Sequence, residues 1–118
     1  MNRKLLRANF EHEHIGVDEA LNGQEAIRVM ESRPADIIVS DLHMPQMDGY
    51  QLCREWRERD PHRQVPIVLF SATETSPKAR SMGLEAGADA YLTKPTPFGL
   101  LLGLVKELLD QRKLNGGV

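Results

Sequence analysis

The sequence predicts an α/β protein with a doubly wound parallel sheet of three layers. Short apolar runs alternate with longer stretches of helical periodicity. The run Ile37-Ile38-Val39 is β-branched and unbroken rather than alternating, as expected of a strand covered on both faces. Helix-start signals at Asn22, Asp48 and Ser76 follow the runs at short intervals. Strands alternating with helices imply parallel strands joined by right-handed crossovers.

Taken in order, Asn2 to about Glu13 reads as an amphipathic helix, with Leu5, Leu6, Asn9 and Phe10 near one face and Arg3, Lys4, Arg7 and Glu11 near the other. Gly16 allows a turn into a short strand over Val17 to Leu21. Asn22, with Glu25 three residues later, starts a second helix whose buried stripe is Ala26, Ile27 and Met30, and Pro34 ends it. The strand through Ile37, Ile38 and Val39 delivers Asp41 to its carboxyl end, before a loop with Pro45 and Gly49 that cannot simply continue the strand. Asp48 and Gln51 form a reciprocal cap for a helix with Leu52, Cys53 and Trp56 inward and Arg54, Glu55, Arg57, Glu58 and Arg59 mostly wet; Asp60-Pro61 stops it. Pro66 to Ala72 is another strand, Ser76-Pro77 a cap followed by proline in the first turn, and Gly87 a helix end. Ala90 to Thr93 is the last strand. Thr96-Pro97 repeats the cap, and Leu100, Leu101, Leu104, Val105, Leu108 and Leu109 run along a final helix until Asn115-Gly116-Gly117.

Taken alone, an Asp after a strand more often begins a loop than performs chemistry. Here Asp41-Leu42-His43-Met44-Pro45 and Met47-Asp48-Gly49 are joined by Leu69-Phe70-Ser71-Ala72 and by Tyr91-Leu92-Thr93-Lys94-Pro95. In order and spacing these three segments resemble the response-regulator receiver domains, which take a phosphoryl group from a histidine kinase onto an aspartate. The resemblance runs to about Gln111 and implies a receiver domain over 1–113, with a flexible tail over 114–118.

The resemblance implies a flavodoxin-like sheet of strand order 2-1-3-4-5, of which this chain carries strands two to five; Met1-Asn2-Arg3-Lys4 matches the start of the family's first helix. It makes Asp41 the phosphoacceptor nucleophile and Lys94 its cationic partner, aimed inward by a cis peptide before Pro95. Ser71 is the hydroxyl that moves to the phosphoryl group, and Tyr91 the aromatic switch that follows it. His43 and Thr73 fall at the variable positions that govern access of water.

In the family, two acidic residues at the end of the first strand hold Mg²⁺ together with the phosphoacceptor and one backbone carbonyl, and that pair is not in this chain. Asp18 and Glu19 lie on the neighbouring strand and read as surface carboxylates. Asp41 and the His43 carbonyl alone would hold Mg²⁺ weakly, and phosphoryl transfer would be slow. Losing a central strand removes on the order of 10 kcal/mol of apolar burial, comparable to the ~5–15 kcal/mol net stability of a domain. The expectation is that the chain starts later than the natural protein; the alternatives are a sheet that re-pairs or a partner chain that supplies the edge.

The 118 residues fit one domain with its own core. A hydrophobic share of 41%, a charged share of 27% and a mean hydropathy of -0.41 are those of a globular protein. A net charge of -2 gives no basic footprint for nucleic acid. Cys53, the single cysteine, rules out an internal disulfide and fits a cytoplasmic setting. The longest apolar run, Phe98 to Val105, falls short of the roughly 18 residues of a membrane span. His12, His14 and His62 have no metal-like grouping, and Gly99 and Gly103 offer either close packing or a helix–helix contact.

The leading expectation is a phosphorylatable receiver served by a histidine kinase or histidine phosphotransfer protein, with a homodimer through the last helices or a strand edge as a further possibility. Any enzymatic activity would be limited to self-phosphorylation and autodephosphorylation. The alternative is a pseudo-receiver, an interaction module that keeps Asp41 and Lys94 without the metal. An aspartyl phosphatase of the haloacid-dehalogenase type would need an acid two residues after its nucleophile, where His43 stands. The sequence carries no output domain, so the expectation is a receiver that acts alone or was cut from a hybrid kinase or longer regulator.

Overall fold

A computed structural model describes residues 3–116, with side chains through residue 111. In chain order the elements are α1 (Arg3–His12), α2 (Gly23–Ser32), β1 (Ile38–Asp41), α3 (Gly49–Arg59), β2 (Ile67–Ser71), α4 (Pro77–Ala86), β3 (Ala90–Thr93) and α5 (Phe98–Gly116). The strands form a parallel sheet in the order β1-β2-β3, with Asp41 opposite Phe70 and Ser71 opposite Thr93.

Successive strand residues point to opposite faces, and the two cores divide accordingly. On one face Ile38, Leu42, Ile67, Leu69 and Tyr91 pack with α2, α3 and α4 around Met30, Leu52 and Trp56. On the other, Val68 meets Phe10 of α1 and Leu101 and Val105 of α5, with Ile37 and Val39 against them. Ile67, Val68 and Leu69 are fully buried, as the unbroken apolar run of β2 requires. The result is a three-layer α/β/α molecule.

The capping signals become caps. Asn22 accepts from the Glu25 N–H at 2.9 Å, and Asp48 and Gln51 form a complete capping box. Ser76 accepts from Ala79 with Pro77 in the first turn, and Gly87, at φ 122°, ends α4 in a conformation that favours glycine.

Several expectations fail. The predicted strand over Val17–Leu21 is not a strand: residues 15–20 carry no regular secondary structure, and no strand among the described residues pairs with them to make a ladder. Thr96 does not cap α5; its hydroxyl donates to the Thr93 carbonyl at 2.6 Å. Of the apolar residues read along α5 and one face of α1, Leu100 is 67% exposed and Leu5 49% exposed. A Cβ on Gly99 or Gly103 would meet nothing within 4 Å, so neither serves close packing within the chain. Arg57, expected to be wet, is buried to 12% side-chain exposure. Helix α5 continues through Gly116, into the predicted tail, whose last two residues lie outside the described residues, as do Met1 and Asn2 at the start of the predicted first helix. No helix among the described residues is long and apolar enough to cross a membrane.

Candidate functional site

The three strands end together, and the side chains singled out in the sequence converge there. Asp41 closes β1, Ser71 closes β2, and Lys94 follows β3. Lys94 Nζ lies 3.0 Å from Asp41 Oδ2, and the other carboxylate oxygen accepts the His43 N–H at 3.2 Å. Asp41 is 39% and Lys94 20% exposed, so the pair opens to solvent on the carboxylate side. The Lys94–Pro95 peptide is cis.

Phe70 was not singled out, yet Lys94 Nζ stands 4.6 Å from its ring centroid, within range of a cation–π contact. Its signal was register: Phe70 is one residue before Ser71 and lies opposite Asp41. The ring gives the ammonium a second stabilising neighbour and limits where it can go.

Ser71 is fully buried, and its Oγ accepts the N–H groups of Thr73 at 3.2 Å and Glu74 at 3.0 Å, fixing the turn after β2. Tyr91 is turned inward. It is 3% exposed, its hydroxyl donates to the Glu74 carbonyl at 2.6 Å, and burial pushes its phenol upward. A Cβ on Gly83 would stand 2.9 Å from that ring, so this glycine makes room for the tyrosine. Tyr50, also unforeseen as a site neighbour, donates to the Ala79 carbonyl at 3.2 Å, and burial raises its phenol as well.

Across the mouth, His43 Nε2 and Thr73 Oγ1 are 3.0 Å apart, so the loops after β1 and β2 touch above Asp41. The Glu74 carboxylate stands 3.9 Å from the same imidazole. Gly49 lies beneath: a Cβ there would be 2.9 Å from Leu69 and 3.1 Å from the Asp41 carbonyl oxygen. It is close approach to the strand, rather than a special backbone angle, that calls for glycine here.

Receiver domains typically bind Mg²⁺ in an acidic pocket, and the donors present here do not fit that ion. No group of three or more His, Cys, Asp or Glu able to hold a metal occurs among the described residues. Asp18 is paired with Arg33 and Glu19 with Arg3 and Arg7. One carboxylate, already engaged by Lys94, with the His43 carbonyl, falls short of the hard oxygen set Mg²⁺ requires.

Comparison with known proteins fits this geometry. The model of the response regulator receiver domain matches residues 1–106. The chain is 37% identical over 110 residues to the phosphate regulon transcriptional regulatory protein PhoB of Rhizobium meliloti, covering 92% of this chain and 48% of that protein. It is 41% identical over 93 residues to the transcriptional regulatory protein ResD of Bacillus subtilis, covering 79% and 37%. It thus spans about half the length, or less, of these curated relatives. Among solved structures, the receiver domain of Francisella response regulator 1452 superposes with a TM-score of 0.83 at 30% identity, covering 92% of this chain and 87% of that one. The flavodoxin-like fold of these neighbours is the fold of this chain, and the chain belongs to the response regulator receiver domain family.

Proposed function

We propose that the domain accepts a phosphoryl group on Asp41 from a phosphohistidine of a histidine kinase or phosphotransfer protein. The observation that carries this reading is the 3.0 Å approach of Lys94 Nζ to Asp41 Oδ2 at the open end of the sheet. A carboxylate oxygen of Asp41 attacks phosphorus, the P–N bond to the imidazole breaks, and the ring nitrogen keeps the bonding pair and takes up a proton. The product is an acyl phosphate. Lys94 then faces an anion of greater charge than the carboxylate it held, and a fixed cation favours that product and the charge developing on the way to it. Ser71 and Tyr91, joined through the 71–74 turn, are the elements we assign to the response. A cytoplasmic setting belongs to the same reading and is supported by the buried free thiol of Cys53.

A second reading has its own support. With Asp41 the one carboxylate at the end of β1, and that carboxylate paired with Lys94, the domain suits a pseudo-receiver that binds partners without phosphorylation. Intact-protein mass after incubation with acetyl phosphate separates the two, with and without Mg²⁺ and beside Asp41→Asn. A single phosphoryl adduct that needs Asp41 is the expected result. Folded protein that gives none would replace the first reading with the second.

A further inference from the structure

Lys94 has to reach across a strand to meet Asp41. In the order β1-β2-β3, Asp41 ends the first strand and Lys94 follows the third, so at the usual strand spacing their backbones stand roughly 9.5 Å apart. The Lys94 N–H donates to the Ser71 carbonyl at 2.8 Å, which pins the lysine backbone beside the end of β2. Register sets the residue that the side chain crosses. Asp41 is paired with Phe70, and Phe70 with Leu92, so the three side chains form one row on the face of the sheet that carries Val39 and Val68. It is the charged tip of the lysine that lies over the Phe70 ring, with Nζ 4.6 Å from the centroid. Packing alone would call for an aliphatic residue beneath the methylene stem.

We propose that Phe70 is a positioning residue for phosphoryl transfer to Asp41, an inference that rests on that function: it acts through Lys94, its π face holding the ammonium at the site while the charge on Asp41 changes. The ion pair alone is a weak hold. With Asp41 39% and Lys94 20% exposed, water and salt take away much of its attraction. The carboxylate is also the group that the reaction alters. Once it carries a phosphoryl group, the negative charge stands further out, on the phosphoryl oxygens, and the free carboxylate that Nζ meets at 3.0 Å is gone. The ring is the neighbour of Nζ that the reaction leaves unchanged. A π face attracts a cation over its whole area rather than along one line, so the ammonium can shift toward the phosphoryl oxygens without leaving the ring. Among the described residues Asp41 is the one acceptor for this ammonium, so no other side chain duplicates what Phe70 does.

The test replaces Phe70 with cyclohexylalanine, which keeps the shape without the π face, and with mono-, di- and trifluorinated phenylalanine, which keep the ring and weaken its face stepwise. The fluorinated series decides the matter should the cyclohexyl variant fail to fold. Two quantities are read: the rate of adduct formation from acetyl phosphate by intact mass, and the order parameter of Lys94 Cε from ¹³C relaxation, which reports how tightly the end of the side chain is held. The expected result is a rate about three- to fivefold lower with cyclohexylalanine, the size of one cation–π contact, and a lower order parameter. Both should fall in step with the number of fluorines, which a purely structural role would not follow. Phe70→Tyr, which retains the face, should keep both. In the Lys94→Ala background the rate should no longer depend on residue 70. The inference is overturned by a parent-like rate or a parent-like order parameter once the π face is removed or weakened, or by a rate loss that persists undiminished in Lys94→Ala, which would place Phe70 in packing. If the parent forms no adduct, the function assigned to Asp41 falls, and the Lys94 order parameter still decides for or against the hold by Phe70.

Discussion

Lys94 Nζ sits 3.0 Å from Asp41 Oδ2 and 4.6 Å from the Phe70 ring, so one ammonium is shared between a carboxylate and an aromatic face. On the proposed function, removing that charge leaves Asp41 in place but takes away the cation that meets the incoming phosphoryl group. Lys94→Ala is expected to slow adduct formation from acetyl phosphate by about 10²-fold. Lys94→Arg should not restore it, because a planar fork cannot replace a compact ammonium between Asp41 and the ring. Rates from intact-mass time courses decide; a Lys94→Ala rate equal to the parent's would remove Lys94 from the proposed chemistry.

The donor set predicts the response to magnesium. With Asp41 the one carboxylate at the end of β1, and that one paired with Lys94, calorimetric titration with Mg²⁺ should give no saturable heat at physiological concentrations. A saturable heat that Asp41→Asn removes would show that the chain assembles a metal site its described residues do not display.

Arg57 joins the other end of the sheet. It donates to the Val65 carbonyl at 2.7 Å, to Gly87 at 3.0 Å, to Asp60 at 3.1 Å and to Asp89 at 2.8 Å. Asp89 in turn accepts the Ile67 N–H at 2.8 Å, and Asp60 the Val65 N–H at 2.9 Å. Truncating the arginine removes a charged donor from two carboxylates and two carbonyls, so Arg57→Ala should cost roughly 3 kcal/mol in urea unfolding. Arg57→Lys should recover only part of this, since one ammonium cannot reach four acceptors. A loss below about 0.5 kcal/mol, the level of an ordinary surface substitution, would contradict the network's role.

The sequence shows some of these features and hides others for a physical reason. Caps at Asn22, Asp48 and Ser76 are local, each made within three residues, and so can be read directly. The convergence of Asp41, Ser71 and Lys94 is not local, but it follows once three parallel strands are recognised to end on one side. Segment 17–21 has a strand's composition and lacks its structure, because pairing depends on a neighbour rather than on the segment itself. Arg57 was hidden by its residue type: a charged side chain on a polar helix face reads as wet, and its partners Gly87 and Asp89 lie 30 and 32 residues away. Asp60, three residues on, was the one nearby hint. In α5, Leu100, Leu101 and Leu102 in a row do not reveal which of them faces inward.

Cys53 offers a probe of native packing. The thiol is fully buried, and burial pushes it up to about 11. The folded state therefore favours the neutral thiol, a contribution present below the ordinary value of 9.0 and lost as pH rises through the folded one. At pH 8 an aromatic disulfide reagent should label Cys53 only as fast as the core opens, so the rate should follow denaturant rather than reagent concentration. Prompt labelling of the native protein would mean that α3 does not seal this thiol.

Glu19 gives the pH signature of the segment between α1 and α2. Hydrogen bonds from Arg7 first, then Arg3, hold its carboxyl below the ordinary 4.5. A lowered folded value means that the contribution is complete above 4.5 and disappears as pH falls through the folded value. The stability difference between the parent and Glu19→Gln should therefore be flat at neutral pH, shrink below 4.5, and close in stronger acid. Because the pair is solvent-accessible, added salt should reduce the difference at neutral pH. Over the same acid range, amide exchange in segment 16–21 should quicken in the parent toward the rate of the variant, since the ion pairs that tie this segment to α1 are released. A stability gap that widened toward acid would place the arginines' stabilising partner elsewhere than Glu19.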